Sequence, residues 1–337
     1  MIFVTGGTGL LGSHFLFEMT RNGKRVRALK RKERDLSLLK RVFSYYSDEP
    51  GKLLDCIEWV EGDLMDFPLM DEYLEGVDEV YHAGAVVSFY PKDHKKMLTV
   101  NIEGTANLVN CALERDVKKF CYVSSVATLG SSEDDKLTDE ETYWKPGSHN
   151  SIYSVSKYGA EREVWRGMEE GLNAVIVNPS VILGPGYWDD NSGLFKLVWK
   201  GLKYYTPGIN GFVDVRDVAR AMRLVMEQNL FNERFIVSAD NVSYLQLFTL
   251  MAKYLDKPAP SVNVPRMMSN IAWRVEAVRS FLTGSLPEIT REMASTTNNK
   301  YFYSNDKIKK RIGFEFIPVE ESIKETCGLF IKDFLGK

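Results

Sequence analysis

Cysteine is scarce and scattered in this sequence: Cys56, Cys111, Cys121 and Cys327 are the only four, and none falls in a C-x-x-C spacing. That excludes a disulfide framework and a cysteine-based zinc site, and it fits a reducing compartment. The four histidines, His14, His82, His94 and His149, lack ligand spacing as well, so no metal is expected. Neither sign of charge dominates. With 43 Lys and Arg against 46 Asp and Glu the net charge is −3, which leaves no global field to draw the chain onto nucleic acid or a membrane. No window approaches the roughly 18 uninterrupted apolar residues that a spanning helix needs. Internal repeats and low-complexity tracts are missing too. The opening MIFVTGG enters a strand-like run without a basic n-region, so no signal peptide is expected and a cytoplasmic location is read.

What is present is an ordinary globular composition, 44% hydrophobic and 26% charged over 337 residues. That length suits one large domain, or a domain with a smaller lobe. Short β-branched apolar runs recur at 2–5 (IFVT), 26–29 (VRAL), 57–60 (IEWV), 77–82 (VDEVYH), 119–125 (KFCYVSS), 174–180 (AVIVNPS) and 234–238 (RFIVS). Helical stripes lie between most of them: Leu11, Phe15 and Met19, then Leu98, Ile102, Thr105, Leu108 and Val109, then Val155, Gly159, Arg162, Val164 and Trp165. Strand–helix alternation with near-continuous apolar strands predicts a parallel sheet covered on both faces. The rhythm weakens after about residue 182, where Gly, Pro, Asn and aromatics crowd together, and 245–337 reads as helices with loops. The basic run 21–34 contains the buried-strand residues Val26, Ala28 and Leu29, so it reads as a solvated edge rather than a nucleic-acid patch.

The motif TGGTGLLG (5–12) follows the first strand and opens a helix. Glycines there let backbone N–H groups approach a pyrophosphate, and the helix N-terminus offers free donors to that anion. This predicts a dinucleotide site and an α/β, Rossmann-type doubly wound parallel sheet. Residues 1–182 would form the NAD(P)-binding domain, with segments near 212–240 returning to it. Residues 183–211 and 241–337 would form the substrate lobe. The second strand ends at Lys30-Arg31, which suits a 2′-phosphate and favours NADP(H) over NAD(H), with Glu33 and Asp35 close by. Asp63, after the third strand, could accept from an adenine amino group or cap a helix. The small residues Ala83, Gly84 and Ala85 would admit a flat cofactor or a close packing contact. Tyr122-Val123-Ser124-Ser125 ends the fifth strand, at the edge where ligands bind in open α/β sheets. Finally, YSVSKYGAE (153–161) sets Tyr153 and Lys157 one helical turn apart. A nearby cation favours phenolate and would bring a tyrosine towards useful acidity.

Taken together, TGGTGLLG, GDL (62–64), HAGA (82–85), NIEGTANL (101–108), YVSS (122–125), YSVSK (153–157), NPSVILGPG (178–186) and FVDVRDVA (212–219) resemble an extended short-chain dehydrogenase/reductase of the NAD-dependent epimerase/dehydratase family. The resemblance covers nearly the whole chain in family order. It implies Tyr153 as the proton donor or acceptor, Lys157 as the group that lowers its pKa and binds the nicotinamide ribose, and Ser125 as the catalytic hydroxyl. It places Gly6, Thr8, Gly9, Leu10, Leu11 and Gly12 at the pyrophosphate, Asp63 and Leu64 at the adenine, and Pro179 and Val181 at the nicotinamide. Asn101 would line the cofactor cleft, and Ser124 would face the cofactor side. Pairing of two copies through helices 98–113 and 153–168 would give a homodimer.

Two departures bear on the reaction. Asn210 stands where nucleotide-sugar epimerases carry an arginine for the substrate diphosphate, and a neutral amide is no bidentate guanidinium. Lys200, Lys203 or Arg216 would have to substitute. Val126 and Ala127 follow Ser125 where dehydratases carry an acidic pair. The pattern is closest to the dihydroflavonol-reductase-like and 3β-hydroxysteroid-dehydrogenase-like branch. The expected activity is an NADP(H)-dependent carbonyl reductase or secondary alcohol dehydrogenase acting on a small molecule. The alternatives are an epimerase with tightly held NAD and a non-catalytic NADP(H)-sensing regulator. The aromatics Tyr187, Trp188, Phe195, Trp199, Tyr204, Tyr205 and Phe212 would suit an apolar substrate, or simply form the lobe's core.

Overall fold

The computed structural model describes residues 1–88, 90–130, 137–147, 150–188, 193–283 and 290–335. His149 and the stretch 189–192 lie outside the described residues. The first half runs β1 (Ile2–Thr5), α1 (Leu10–Arg21), β2 (Val26–Lys30), α2 (Ser37–Tyr46), α3 (Pro50–Leu54), β3 (Ile57–Glu61), α4 (Phe67–Tyr73), β4 (Glu79–His82), α5 (His94–Glu114), β5 (Lys119–Val123) and α6 (Ile152–Glu169). It continues with β6 (Ala174–Pro179), β7 (Val181–Leu183), α7 (Leu194–Trp199), β8 (Tyr204–Tyr205), β9 (Ile209–Asp214), α8 (Val215–Glu227), β10 (Glu233–Val237), β11 (Asp240–Ser243) and α9 (Tyr244–Leu255). β12 (Val262–Asn263), α10 (Arg266–Thr283), α11 (Arg291–Thr296), α12 (Asp306–Ile312) and α13 (Val319–Leu335) complete it. No described helix is long and apolar enough to cross a membrane.

Seven strands form one parallel sheet in the order β10-β6-β5-β4-β1-β2-β3, and all seven come from the apolar runs read in the sequence. Strand side chains alternate between two buried faces, which is why the runs carry few polar residues. Val4, Cys121, Val123, Val175 and Val177 join α1 and α8 on one face. Phe3, Phe120, Tyr122, Ala174 and Ile176 join α5 and α6 on the other. The order in which the chain adds strands reverses between β1 and β4, and a crevice opens there at the strands' carboxyl ends. A three-stranded sheet, β11-β9-β7, sits beyond it. Its core takes Trp188, Phe195, Phe212, Tyr244, Met251, Ile323 and Phe330.

Candidate active site

The crevice is shaped first by backbone. Gly6 turns the chain out of β1 at φ +74°, and the Gly9 N–H returns to the Gly6 carbonyl at 2.9 Å. A Cβ on Gly6 would lie 2.6 Å from the carbonyl carbon of Ala83, and one on Gly12 would lie 2.0 Å from the Gly6 oxygen. Only glycine fits either place. The N-terminus of α1, which begins at Leu10, has no side-chain cap and no acidic residue in its first turn. Its free N–H groups and dipole therefore suit an anion, and the cradle fits a dinucleotide pyrophosphate.

A cavity of about 710 Å³ follows from this turn. Of the residues expected at the cofactor, Gly6, Thr8, Gly9, Leu10, Leu11, Gly12, Lys30, Arg31, Asp63, Leu64, Ala83, Gly84 and Ala85 line it. Asn101 does not. It is buried behind the wall, accepting from the Val86 N–H at 2.7 Å while its amide donates to the Val86 carbonyl and to Ser156. It pins the loop after β4 to α5 and α6. Thr5 steadies the same loop: its hydroxyl accepts from the Gly84 N–H at 3.1 Å and is bonded to His82 at 2.6 Å.

At the β2 end, Lys30 pairs with Glu61 on the neighbouring strand, so its charge is already met. Arg31 is exposed, and an adjoining recess of about 780 Å³ collects Arg31, Lys32 and Arg34 together with Glu33, Glu61 and Asp63. Asp35 is turned away, accepting from both the N–H and the hydroxyl of Ser37. Asp63 accepts from the Met65 N–H at 3.0 Å. Arg34 donates to the Tyr187 hydroxyl at 2.8 Å, and that phenol donates to the Thr8 carbonyl. Tyr187 thus ties the loop after β7 to the glycine turn across the front of the crevice. Neither Arg34 nor this role of Tyr187 was legible in the sequence, because the partners lie 153 and 179 residues apart.

Ser125, just after β5, lies near Tyr153 in the first turn of α6, with Lys157 one turn further on, and none of the three lines the cavity. Ser151 caps α6 through the Ser154 N–H at 3.0 Å, and the Ser154 hydroxyl donates to the Ala127 carbonyl at 2.7 Å. These bonds dock the first turn of α6 on the single turn after Ser125. The Tyr153 phenol lies within hydrogen-bonding reach of Ser125. Burial pushes that phenol up, and the Ser125 hydroxyl works in the opposite direction. Lys157 is buried, donates to the Val123 carbonyl at 2.7 Å and sits 4.4 Å from the centre of the Tyr122 ring. Burial lowers it to about 7, while the Glu161 carboxylate acts the other way. The expected lowering of the phenol by Lys157 is therefore not what this arrangement gives, because the ammonium is drawn to a backbone carbonyl.

Two further expectations are not met, and the aromatics take one of the two roles left open for them. Ser124, read as facing the cofactor side, is buried and donates to Glu161 at 2.5 Å. Pro179 ends β6 and Val181 opens β7, but it is Ile182, Leu183 and Gly184 that reach the cavity. Trp188, Phe195 and Phe212 belong to the second core, although the first two also edge the cavity. Asn210 is buried, bonded to the Gly211 N–H and to Tyr244, and does not face the cavity. Arg216 is held by Asp214 at 2.8 Å and Glu325 at 2.6 Å.

An open parallel sheet with a glycine cradle at its reversal point and a Ser/Tyr/Lys set at the next strand end defines an NAD(P)-dependent enzyme acting at a CH–OH or C=O centre. The chain belongs to the NAD-dependent epimerase/dehydratase family, whose model matches residues 2–237. It is 28% identical over 340 residues to a Synechocystis protein named after dihydroflavonol 4-reductase, covering 97% of this chain and 94% of that one. It is 25% identical to the 3β-hydroxysteroid-dehydrogenase/decarboxylase isoform 1 of Arabidopsis thaliana, covering 97% and 79%. Among solved structures, that of gox2253 superposes with a TM-score of 0.81 at 29% identity, over 99% of this chain and 98% of the other.

Proposed function

We propose that this protein is an NADP(H)-dependent carbonyl reductase, or a secondary alcohol dehydrogenase in the reverse direction. The observation that carries this reading is the glycine-built dinucleotide cleft, with Ser125 and Tyr153 placed after the neighbouring strand end. The nicotinamide, when bound, supplies or accepts the hydride. Tyr153 delivers the proton to the carbonyl oxygen, and its raised pKa keeps the phenol protonated at neutral pH. Ser125 polarises the same oxygen. Its backbone is held by the Asn178 amide at 3.1 Å, so the hydroxyl is presented without rearrangement. Lys157 would hold the cofactor ribose.

NADP(H) is favoured because Arg31 and Arg34 stand at the adenine end while the acidic Asp35 is engaged by Ser37. Lys30, paired with Glu61, contributes less. A sugar-nucleotide substrate is disfavoured because Asn210 is buried and Arg216 already carries two carboxylates.

The test is deuteride transfer. With NADPH deuterated at C4 and a panel of aromatic and alicyclic ketones and aldehydes, deuterium should appear on the product carbinol carbon with net cofactor oxidation. Epimerisation of a nucleotide sugar with no net oxidation would overturn the reading.

A further inference from the structure

A fully buried carboxylate lies one turn beyond Lys157. Glu161 is 1% exposed, and its two oxygens are used unequally. Oε2 accepts from the Ser124 hydroxyl at 2.5 Å, the Thr128 hydroxyl at 2.7 Å and the Asn178 amide at 3.0 Å. Oε1 accepts only longer bonds, from Trp165 and Arg234, each at 3.3 Å. The close donors are all neutral, so a glutamine oxygen could still accept from them, with its NH2 left facing the Trp165 and Arg234 donors. A buried charge is costly unless a cation answers it. Arg234 does so at 3.3 Å from Oε1, with its other nitrogens on the Glu140 carbonyl. Lys157, one turn back on the same face of α6 and also buried, is the second cation near it.

We infer that Glu161 is a positioning residue: its charge faces Lys157 from the next turn of α6, and its hydrogen bonds seat the strand end that carries Ser125. The inference rests on the reductase reading of Tyr153 and Lys157. One side chain then serves both halves of the site. Ser124 and Asn178 flank Ser125 and Pro179, and Asn178 also holds the Ser125 carbonyl. The other groups facing Lys157 give it no anion: His82 on β4, Tyr122 on β5, and Tyr153 on its own helix. Burial lowers that lysine, and Glu161 is the charge that opposes this.

The experiment follows Lys157 directly, by 13C NMR of the full chain labelled at lysine Cε, with the resonance assigned by its loss in Lys157→Met. The midpoint should lie near 7 in the parent, stay there in Glu161→Asp, and fall by about one pH unit or more in Glu161→Gln. Turnover by Glu161→Gln should drop about tenfold at pH 7 and recover as the pH is lowered. A folded Glu161→Gln with an unmoved midpoint and pH profile would overturn the inference and leave Glu161 a structural hub. Should that variant not fold, glutamate Cδ labelling of the parent serves: the Glu161 resonance must inflect at the Lys157 midpoint, and the lack of an inflection overturns the inference. Failure of the reductase reading is seen separately, as unchanged turnover in Tyr153→Phe, because the lysine midpoint is read without turnover.

Discussion

Lys157 donates to the Val123 carbonyl at 2.7 Å, which keeps the ammonium at the carboxyl end of β5. Burial holds it at about 7, well below the ordinary lysine value of 10.5. With a depressed value, the cation is present below pH 7 and is lost as the pH rises through 7. The kcat/KM for carbonyl reduction should therefore decline above pH 7, approaching tenfold per unit. A profile flat to pH 9 would contradict this.

Tyr153→Phe keeps the ring and removes the proton. Turnover should fall by about 10²- to 10⁴-fold, the usual worth of a positioned general acid, with the Kd for NADPH unchanged within about twofold. Fluorescence titration of NADPH alongside steady-state rates separates the two quantities. A variant that keeps its rate removes Tyr153 from the chemistry.

Gly12→Ala places a methyl 2.0 Å from the Gly6 oxygen, so the turn must open. Stability should fall by about 1–3 kcal/mol, and dinucleotide binding should be lost. Gly51→Ala is the matched control. Its Cβ meets nothing within 4 Å and it lies in α3, so it should stabilise slightly. Thermal melts with and without NADPH distinguish the two.

His82 and His14 are buried and held near 3 and 4, both below the ordinary 6.5, chiefly by burial. Their folded values lie below the unfolded one, so stability is full above pH 6.5 and is lost as the pH falls towards 3–4. Each should contribute a slope of up to about 1.4 kcal/mol per pH unit in that window. Urea midpoints between pH 7 and 4 measure it, and a flat series would show that the rings are solvated.

The large sheet was legible because both of its faces are buried, so each strand announces itself as an apolar run. The glycine turn was legible because its constraints are local. Glu161 was visible only as a fourth-residue neighbour of Lys157, and nothing in the sequence says that Ser124, Thr128 and Asn178 converge on it. Tyr187 and Arg34 carried no local signal at all. Ser124 and Asn101 were assigned to the cleft by the family resemblance, yet both side chains are buried in hydrogen bonds behind it.

The most direct test is the cofactor state and preference of the purified chain, read by release on denaturation and by titration with NADPH and NADH. The account predicts reversible binding, tighter for NADPH by about tenfold or more, with the preference lost in Arg34→Ala or Arg31→Ala. Stoichiometric NAD surviving purification, with no preference for NADPH, would contradict it and make the epimerase the better reading.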